Sequence, residues 1–190
     1  VNNGSTDNCS VSVALTPGTF NCANVGANTV TLVATDGSGN TSTCTAIVTI
    51  RDLTAPTALC KNATVFLDIN GEGTLSLSQV NNGSGDACGI SSATLSNTQF
   101  DCSQISGTQM VTLTVKDQYN NSSSCTAIIT VRDNTAPTAI CENTTVQLAS
   151  NGLVAVYPSD LASESFDNCS VWSYSPTAKV YKTANVGINN

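Results

Sequence analysis

The chain has 190 residues, of which 40% are hydrophobic and only 10% charged; it carries a net charge of −7, six basic residues and no histidine. That length admits one large domain or two to three small ones. The missing histidine excludes Ser-His-Asp triads, Cys-His dyads and His-ligated zinc, and the acidic balance argues against a nucleic-acid partner.

Taken in chain order, the apolar pattern predicts short strands and turns. Val11–Ala14 and Thr19–Cys22 are predicted strands flanking a turn at Leu15-Thr16-Pro17-Gly18. Val30–Ala34 is a strand that enters the polar loop Asp36-Gly37-Ser38-Gly39-Asn40, and Cys44–Ile50 returns from it. Thr64–Asp68 and Thr74–Leu77 flank Asn70-Gly71, a strong hairpin signal. Val111–Lys116 alternates apolar and polar residues, the mark of a half-buried strand. After the loop Asp117–Ser122, Cys125, Ala127, Ile129 and Val131 share one face of the next strand, and Thr126, Thr130 and Arg132 share the other. No segment has a helical period. About seven short strands in some 80 residues predict an all-β fold, an immunoglobulin-like β-sandwich. Its surface is polar but uncharged: 23 Ser, 27 Thr and 21 Asn exceed a third of the chain. No apolar run approaches the roughly 20 residues of a membrane span, and no secretory signal pattern opens the sequence.

The chain repeats itself. Arg51-Asp52-Leu53-Thr54-Ala55-Pro56 returns as Arg132-Asp133-Asn134-Thr135-Ala136-Pro137, and Cys44–Ile50 returns as Cys125–Val131, both at an offset of 81. Asp7-Asn8-Cys9, Asp86-Ala87-Cys88 and Asp167-Asn168-Cys169 follow the same period, as do Phe20-Asn21-Cys22 and Phe100-Asp101-Cys102. Proline stiffens the Thr-Ala-Pro segment, which reads as the link between units. Residues 53–133 then form one complete unit, 1–52 the C-terminal part of a preceding one, and 134–190 the N-terminal part of the next. The expected parent is a longer tandem array.

Ala34-Thr35-Asp36-Gly37-Ser38-Gly39-Asn40-Thr41-Ser42-Thr43-Cys44, followed by an alternating strand, resembles the end of a hyalin repeat (HYR) domain. The downstream Thr-Ala-Pro junction and its Cys resemble the start of the next. The resemblance implies tandem Ig-like units of the kind found in large bacterial cell-surface adhesins.

Nine Cys without a C-x-x-C pair point to disulfides and an oxidising, extracellular or cell-surface setting rather than to a metal cluster. In the whole unit, Cys60, Cys88, Cys102 and Cys125 allow three connectivities. An immunoglobulin-like strand order brings Cys60 and Cys125 to the same end, which also fits the two-cysteine pattern that the HYR resemblance implies. Cys88 and Cys102 are expected to bridge across a hairpin, and Cys9 to pair with Cys22 by copy. Cys44 is expected to pair upstream and Cys141 downstream. Cys169 has Thr183 where its partner is expected, so it is free, pairs off-pattern or links to another chain.

The acids recur too. Asp52, Asp86 and Asp117, with Asp133 and Asp167 one period later, are expected at the unit junctions, with Asp36 repeating at the hairpin. They form an oxygen-only set suited to Ca²⁺; the competing reading is that each Asp caps its own turn. Asn-x-Ser/Thr sequons stand at Asn3, Asn8, Asn40, Asn62, Asn82, Asn120, Asn121, Asn143 and Asn168, a weak excess over composition. The expected function is structural: a disulfide-stabilised spacer in an extracellular fibre or adhesin stalk, partnered by adjacent repeats and not an enzyme. The alternative is a recognition module for surface glycans, suggested by Trp172, Tyr174, Tyr157 and Tyr181 in the last unit.

Overall fold

A computed structural model describes residues 4, 6, 10–162, 164–170 and, for the backbone, 179–182. The fold is all-β. In chain order the strands are β1 (Val11–Thr16), β2 (Gly26–Asp36), β3 (Thr41–Ile50), β4 (Ala63–Phe66), β5 (Glu72–Thr74), β6 (Ser92–Leu95), β7 (Gln99–Asp101), β8 (Gln109–Lys116), β9 (Ser122–Arg132), β10 (Leu153–Val156) and β11 (Lys179–Lys182). The chain forms two compact units. One comprises Val1–Cys60, Asn81–Thr94 and Leu113–Cys125; the other comprises Lys61–Val80, Leu95–Thr112 and Thr126–Asn190.

The middle of the chain has the immunoglobulin-like arrangement. Four strands run in the order β4-β9-β8-β6, and β5 and β7 form a separate two-stranded sheet. The first and last of these strands are parallel, with Val65 opposite Val131. Alternation puts Val111, Leu113 and Val115 of β8 and Ala127, Ile129 and Val131 of β9 on buried faces, each at most 2% exposed. Val65, Leu67, Leu75, Val80 and Phe100 complete the buried set. The outward positions are mostly Thr and Ser, as the composition required.

The first copy repeats part of this plan. Its sheet runs β1-β2-β3, with Val30 and Leu32 buried. In the last copy β10 pairs antiparallel with β11.

Three local expectations are corrected. Asn70-Gly71 does not join paired strands. Its tight turn, closed by Asp68 N–H to Glu72 O at 2.8 Å, passes the chain from the β4 sheet to the β5–β7 sheet. Leu77 opens a one-turn helix, α1 (Leu77–Val80), where a strand was expected; Ser76 N–H donates to Gln79 Oε1, and Val80 is buried. Thr19–Cys22 is not a strand either: Cys22–Asn24 is a 3-10 turn capped by Asn21. Among the described residues no helix is long and apolar enough to cross a membrane.

If burial along β8 holds the middle sheet together, Leu113→Ala should cost about 2–5 kcal/mol in urea unfolding. Met110→Gln, on the same strand but 70% exposed, should stay within about 0.5 kcal/mol of the parent.

Candidate functional site: the stapled repeat junctions

The three disulfides among the described residues join cysteines 65 to 67 residues apart. Cys60 and Cys125 are bonded, with Cα atoms 5.8 Å apart, beside the parallel β4–β9 pair. The expected Cys88–Cys102 and Cys9–Cys22 bridges are corrected. Cys22 is bonded to Cys88 with a Cα–Cα distance of 5.2 Å, and Cys102 to Cys169 at 5.3 Å. Cys9 itself lies outside the described residues, as does Thr183. The two bridges are one period apart and span nearly equal separations, 66 and 67 residues. Each joins the cysteine of a Phe-x-Cys turn to that of the following Asp-x-Cys turn along the chain.

The local reason is the path of the chain after β6. The expected hairpin would bring Cys88 and Cys102 together. Instead β6 lies in the β4 sheet while β7 pairs with β5, and the two cysteines fall in different compact units. Cys102 opens a 3-10 turn capped by Asp101, whose Oδ1 accepts the Ser103 N–H at 2.8 Å. Cys22 opens the matching turn behind Asn21. On the other side, Asp86 Oδ1 accepts the Cys88 N–H at 2.7 Å and Asp167 Oδ2 accepts the Cys169 N–H at 3.2 Å. The recurring Asp therefore fixes the backbone that carries the receiving sulfur.

Polar contacts surround each staple. At the first, the Tyr119 hydroxyl donates to Cys22 O at 3.3 Å, and Asn121 Nδ2 donates to Asp52 O at 3.2 Å. At the second, Asn168 Nδ2 donates to Asp68 O at 2.8 Å and to Asp133 Oδ1 at 3.1 Å. Gly71, at φ +77, leaves room there: a Cβ on it would lie 2.6 Å from Cys102 Sγ and 3.0 Å from Asn168 O. Tyr119, Asn121, Asn168 and Gly71 were not singled out as junction residues by the sequence reading. The recurrence of Asn40 as Asn121 was the available signal for one of them.

The acids divide into two kinds. Asp117 is 2% exposed and is engaged inside its own hairpin. Its Oδ1 accepts the Tyr119 and Asn121 amides at 2.8 and 2.9 Å, and its Oδ2 accepts Asn121 Nδ2 at 2.7 Å. Asp36 does the same with Ser38 and Asn40. Burial opposes the charge on Asp117, but these hydrogen bonds outweigh it and hold its carboxyl below the ordinary carboxylate value. Asp117 thus caps its own turn.

The junction acids are less satisfied. Asp52 Oδ1 accepts the Thr54 amide at 3.0 Å, while its Oδ2 is buried with no partner among the described residues. Asp52, Asp86 and Cys88 place ligand atoms within 4.8 Å of one another, but the Cys88 sulfur is spent in its disulfide, leaving two carboxylates. At the second junction Asp167 Oδ1 and Asn168 Oδ1 are likewise buried with no partner among the described residues. The Thr135 amide chiefly lowers the Asp133 pKa, against the effect of burial, and the Asp167 carboxyl lies within hydrogen-bonding reach of it.

Of the sequons, Asn3 and Asn8 lie outside the described residues. Asn40, Asn62, Asn82, Asn120 and Asn143 are exposed, but the Asn40 amide is held by Asp36. Asn121 and Asn168 are part-buried and engaged at the junctions. Trp172 and Tyr174, and the Tyr181 side chain, lie outside the described residues; Tyr157 is 52% exposed.

No family model matches the chain, and no curated protein matches it. Among solved structures it is similar to a cis-dimer structure of protocadherin gammaB7 EC3-6, at 18% identity and TM-score 0.36 over 78% of this chain and 47% of that one. A structure of protocadherin gamma B7 extracellular cadherin domains 1-4 aligns at 16% identity and TM-score 0.27 over 77% and 45%. The chain thus spans less than half the length of either, and superpositions this loose carry neither fold nor function.

Two outcomes are expected. Asp117 stabilises fully above its ordinary value of 3.8, and that contribution is lost as pH falls through its lowered folded value. Asp117→Asn should therefore melt below the parent at neutral pH, and the gap should close in melts taken below about pH 4. Gly71→Ala should cost about 1–2 kcal/mol for its left-handed backbone alone. It should also lower the recovered yield of Cys102–Cys169 while leaving Cys22–Cys88 intact, as read by non-reducing peptide mapping.

Proposed function

We propose that this chain is a segment of an extracellular fibre or adhesin stalk, built on an HYR-like plan and working as a covalently stapled spacer. Residues 53–133 are a complete repeat, residues 1–52 the later part of the one before, and residues 134–190 the early part of the one after. The observation that carries the reading is the pair of equivalent bridges, Cys22–Cys88 and Cys102–Cys169; with the proposed repeat bounds, each ties one copy to the next. A bridge within a copy protects only that copy. A bridge across the link removes hinge freedom between copies, which is what a spacer requires. Three bridges among the described residues also fit an oxidising compartment, and a small sandwich with nine aromatics in the whole chain gains from them.

A second reading is favoured by the orphaned oxygens. Buried Asp52 Oδ2, Asp167 Oδ1 and Asn168 Oδ1 lack partners among the described residues, and burying an unpaired carboxylate oxygen is costly. A hard divalent cation such as Ca²⁺ suits this oxygen-only donor set. Asp52 and Asp86 would serve one junction, and Asp133, Asp167 and Asn168 the other. The metal would add charge neutralisation to a link that the disulfide already closes.

The test compares the parent with the double variant Cys22→Ser/Cys88→Ser. In the chain-entropy model, closing a 66-residue loop is worth about 4 kcal/mol, so the variant should melt lower. Small-angle scattering should also show a broader distribution of distances. Unchanged scattering would sink the spacer reading. In the same assays, EDTA should lower the parent's melting temperature if calcium is held, and Asp167→Asn should blunt that response; an EDTA-insensitive melt removes the calcium reading alone.

A further inference from the structure

Asparagine followed by glycine is where a peptide chain most readily attacks its own side chain, because glycine puts no Cβ beside the attacking amide nitrogen. The chain has four such pairs: Asn3-Gly4, Asn70-Gly71, Asn82-Gly83 and Asn151-Gly152. Asn3 lies outside the described residues, and the structure separates the other three. At Asn70-Gly71 both reacting groups are engaged: Gly71 N–H donates to Asp68 O at 3.0 Å, and Asn70 Nδ2 donates to Asp68 Oδ2 at 3.4 Å. At Asn151-Gly152 the same holds: Gly152 N–H donates to Ala149 O at 2.8 Å, and Asn151 Oδ1 accepts the Leu153 amide at 3.1 Å. At Asn82-Gly83 neither group is engaged. Among the described residues the Asn82 side chain and the Gly83 N–H make no hydrogen bond, and both residues are exposed. Beyond its chain neighbours, no atom lies within 4 Å of where a Cβ on Gly83 would stand, whereas on Gly71 it would meet Cys102 Sγ at 2.6 Å.

The loop 82–85 clasps the chain just after the Thr-Ala-Pro segment. Thr57 N–H donates to Gly85 O at 2.7 Å, Gly85 N–H returns to Thr57 O at 3.0 Å, and Asn82 N–H donates to Leu59 O at 2.9 Å. Leu59 N–H donates to Ser84 Oγ at 2.9 Å, and the Ser84 hydroxyl donates to Leu59 O at 3.3 Å. Asn82 grips one end of the clasp and Ser84 and Gly85 the other, so the Asn82–Gly83 peptide sets the distance between the two grips. One period on, Thr138 N–H donates to Phe166 O at 2.8 Å and Ile140 N–H to Ser165 Oγ at 2.9 Å, the same clasp. There the sequence has Ser163-Glu164 in place of Asn82-Gly83.

We propose that Asn82 is a self-modification site: it loses its side-chain nitrogen as ammonia, the backbone is rerouted through an isoaspartyl linkage to Gly83, and the clasp on residues 57–59 loosens. The Gly83 nitrogen attacks Asn82 Cγ. An N–Cγ bond forms, the Cγ–Nδ2 bond breaks, and the Gly83 proton leaves with the amide group as ammonia. Water then opens the cyclic imide. Opening at Cγ leaves an ordinary aspartyl residue; opening at the backbone carbonyl of residue 82 leaves the isoaspartyl form. The net change is hydrolysis of one side-chain amide by one water, with no oxidant or reductant. In the isoaspartyl form the chain runs through Cβ and Cγ, which inserts a methylene between the two grips of the clasp and leaves a carboxylate beside them. Ser84 and Gly85 then no longer reach Leu59 and Thr57 while Asn82 N–H holds Leu59 O. Asn82 also heads a sequon, Asn82-Gly83-Ser84. A glycan on Nδ2 would block the leaving group, so the unglycosylated chain is the reactive form.

The experiment incubates the unglycosylated 190-residue chain in mildly alkaline buffer at body temperature. Peptide mapping follows deamidation, and enzymatic methylation identifies isoaspartate. In the folded chain Asn82 should convert about tenfold or more faster than Asn70 and Asn151, where two hydrogen bonds must first break. After reduction and unfolding in urea, the three should convert at similar rates. Equal rates in the folded chain, or Asn70 or Asn151 converting ahead of Asn82, would overturn the site. Amide hydrogen exchange reads the consequence. In the isoaspartyl chain Thr57 and Leu59 should exchange about fivefold or more faster, while Thr138 and Ile140 of the equivalent clasp stay unchanged. Asn82→Gln, which closes the ring far more slowly, should keep slow exchange through the same incubation. Asn82→Asp, measured before incubation, adds the charge with an ordinary backbone and should keep it too. Thr57 exchange unmoved by isoaspartate, or sped as much by Asn82→Asp, would overturn the loosening.

Discussion

The bond from a Phe-x-Cys turn to the following Asp-x-Cys turn along the chain governs the rest of this structure. It demands that two loops meet within the 5.2 and 5.3 Å Cα–Cα spacings observed, inside the range a disulfide tolerates. Much of the nearby chemistry serves that meeting. Asp86 and Asp167 hold the backbone before the receiving cysteine, Asn21 and Asp101 cap the turns that present the donor, and Gly71 gives way to the second sulfur. The hydroxyl- and amide-rich composition suits this task, since short Ser, Asn and Asp side chains bond locally to backbone where long charged ones would not.

Sequence legibility tracked the range of the interaction. Alternation along Val111–Lys116 and Cys125–Val131 identified β8 and β9, because a half-buried strand writes its environment every second residue. The parallel closure beside Cys60 and Cys125 followed from strand order. Cys88 and Cys102 were misread because proximity in sequence was taken for proximity in space. The chain changes sheets between β6 and β7, and no residue between them announces the change. Cys169 held the missed clue. Shifting the pairing by one copy gives it Cys102 as a partner and produces two bridges of nearly equal span.

The acids show the same division. Asp36 and Asp117 recur because their hairpins need a carboxylate that accepts several hydrogen bonds from within the loop. Asp52 and Asp133 recur because each accepts the amide two residues on, before the Thr-Ala-Pro segment's proline. Spacing alone does not separate these two roles, since both follow the 81-residue period. Burial and partner count separate them: Asp117 is fully engaged, while Asp52 keeps a buried oxygen with nothing to accept among the described residues.

The interleaving of the bridges has a mechanical consequence. Pulled from residues flanking Cys22 and Cys169, a chain without cross-links pays out all 147 peptide steps between them, roughly 500 Å when extended. With the bridges closed, load passes from Cys22 through sulfur to Cys88, along the backbone to Cys102, and through sulfur again to Cys169. Only the 14 steps from Cys88 to Cys102 lie on that route, roughly 50 Å of slack. Even with every strand torn from its sheet, the segment would lengthen by little, and tension would be borne by covalent bonds rather than by hydrogen bonds between strands.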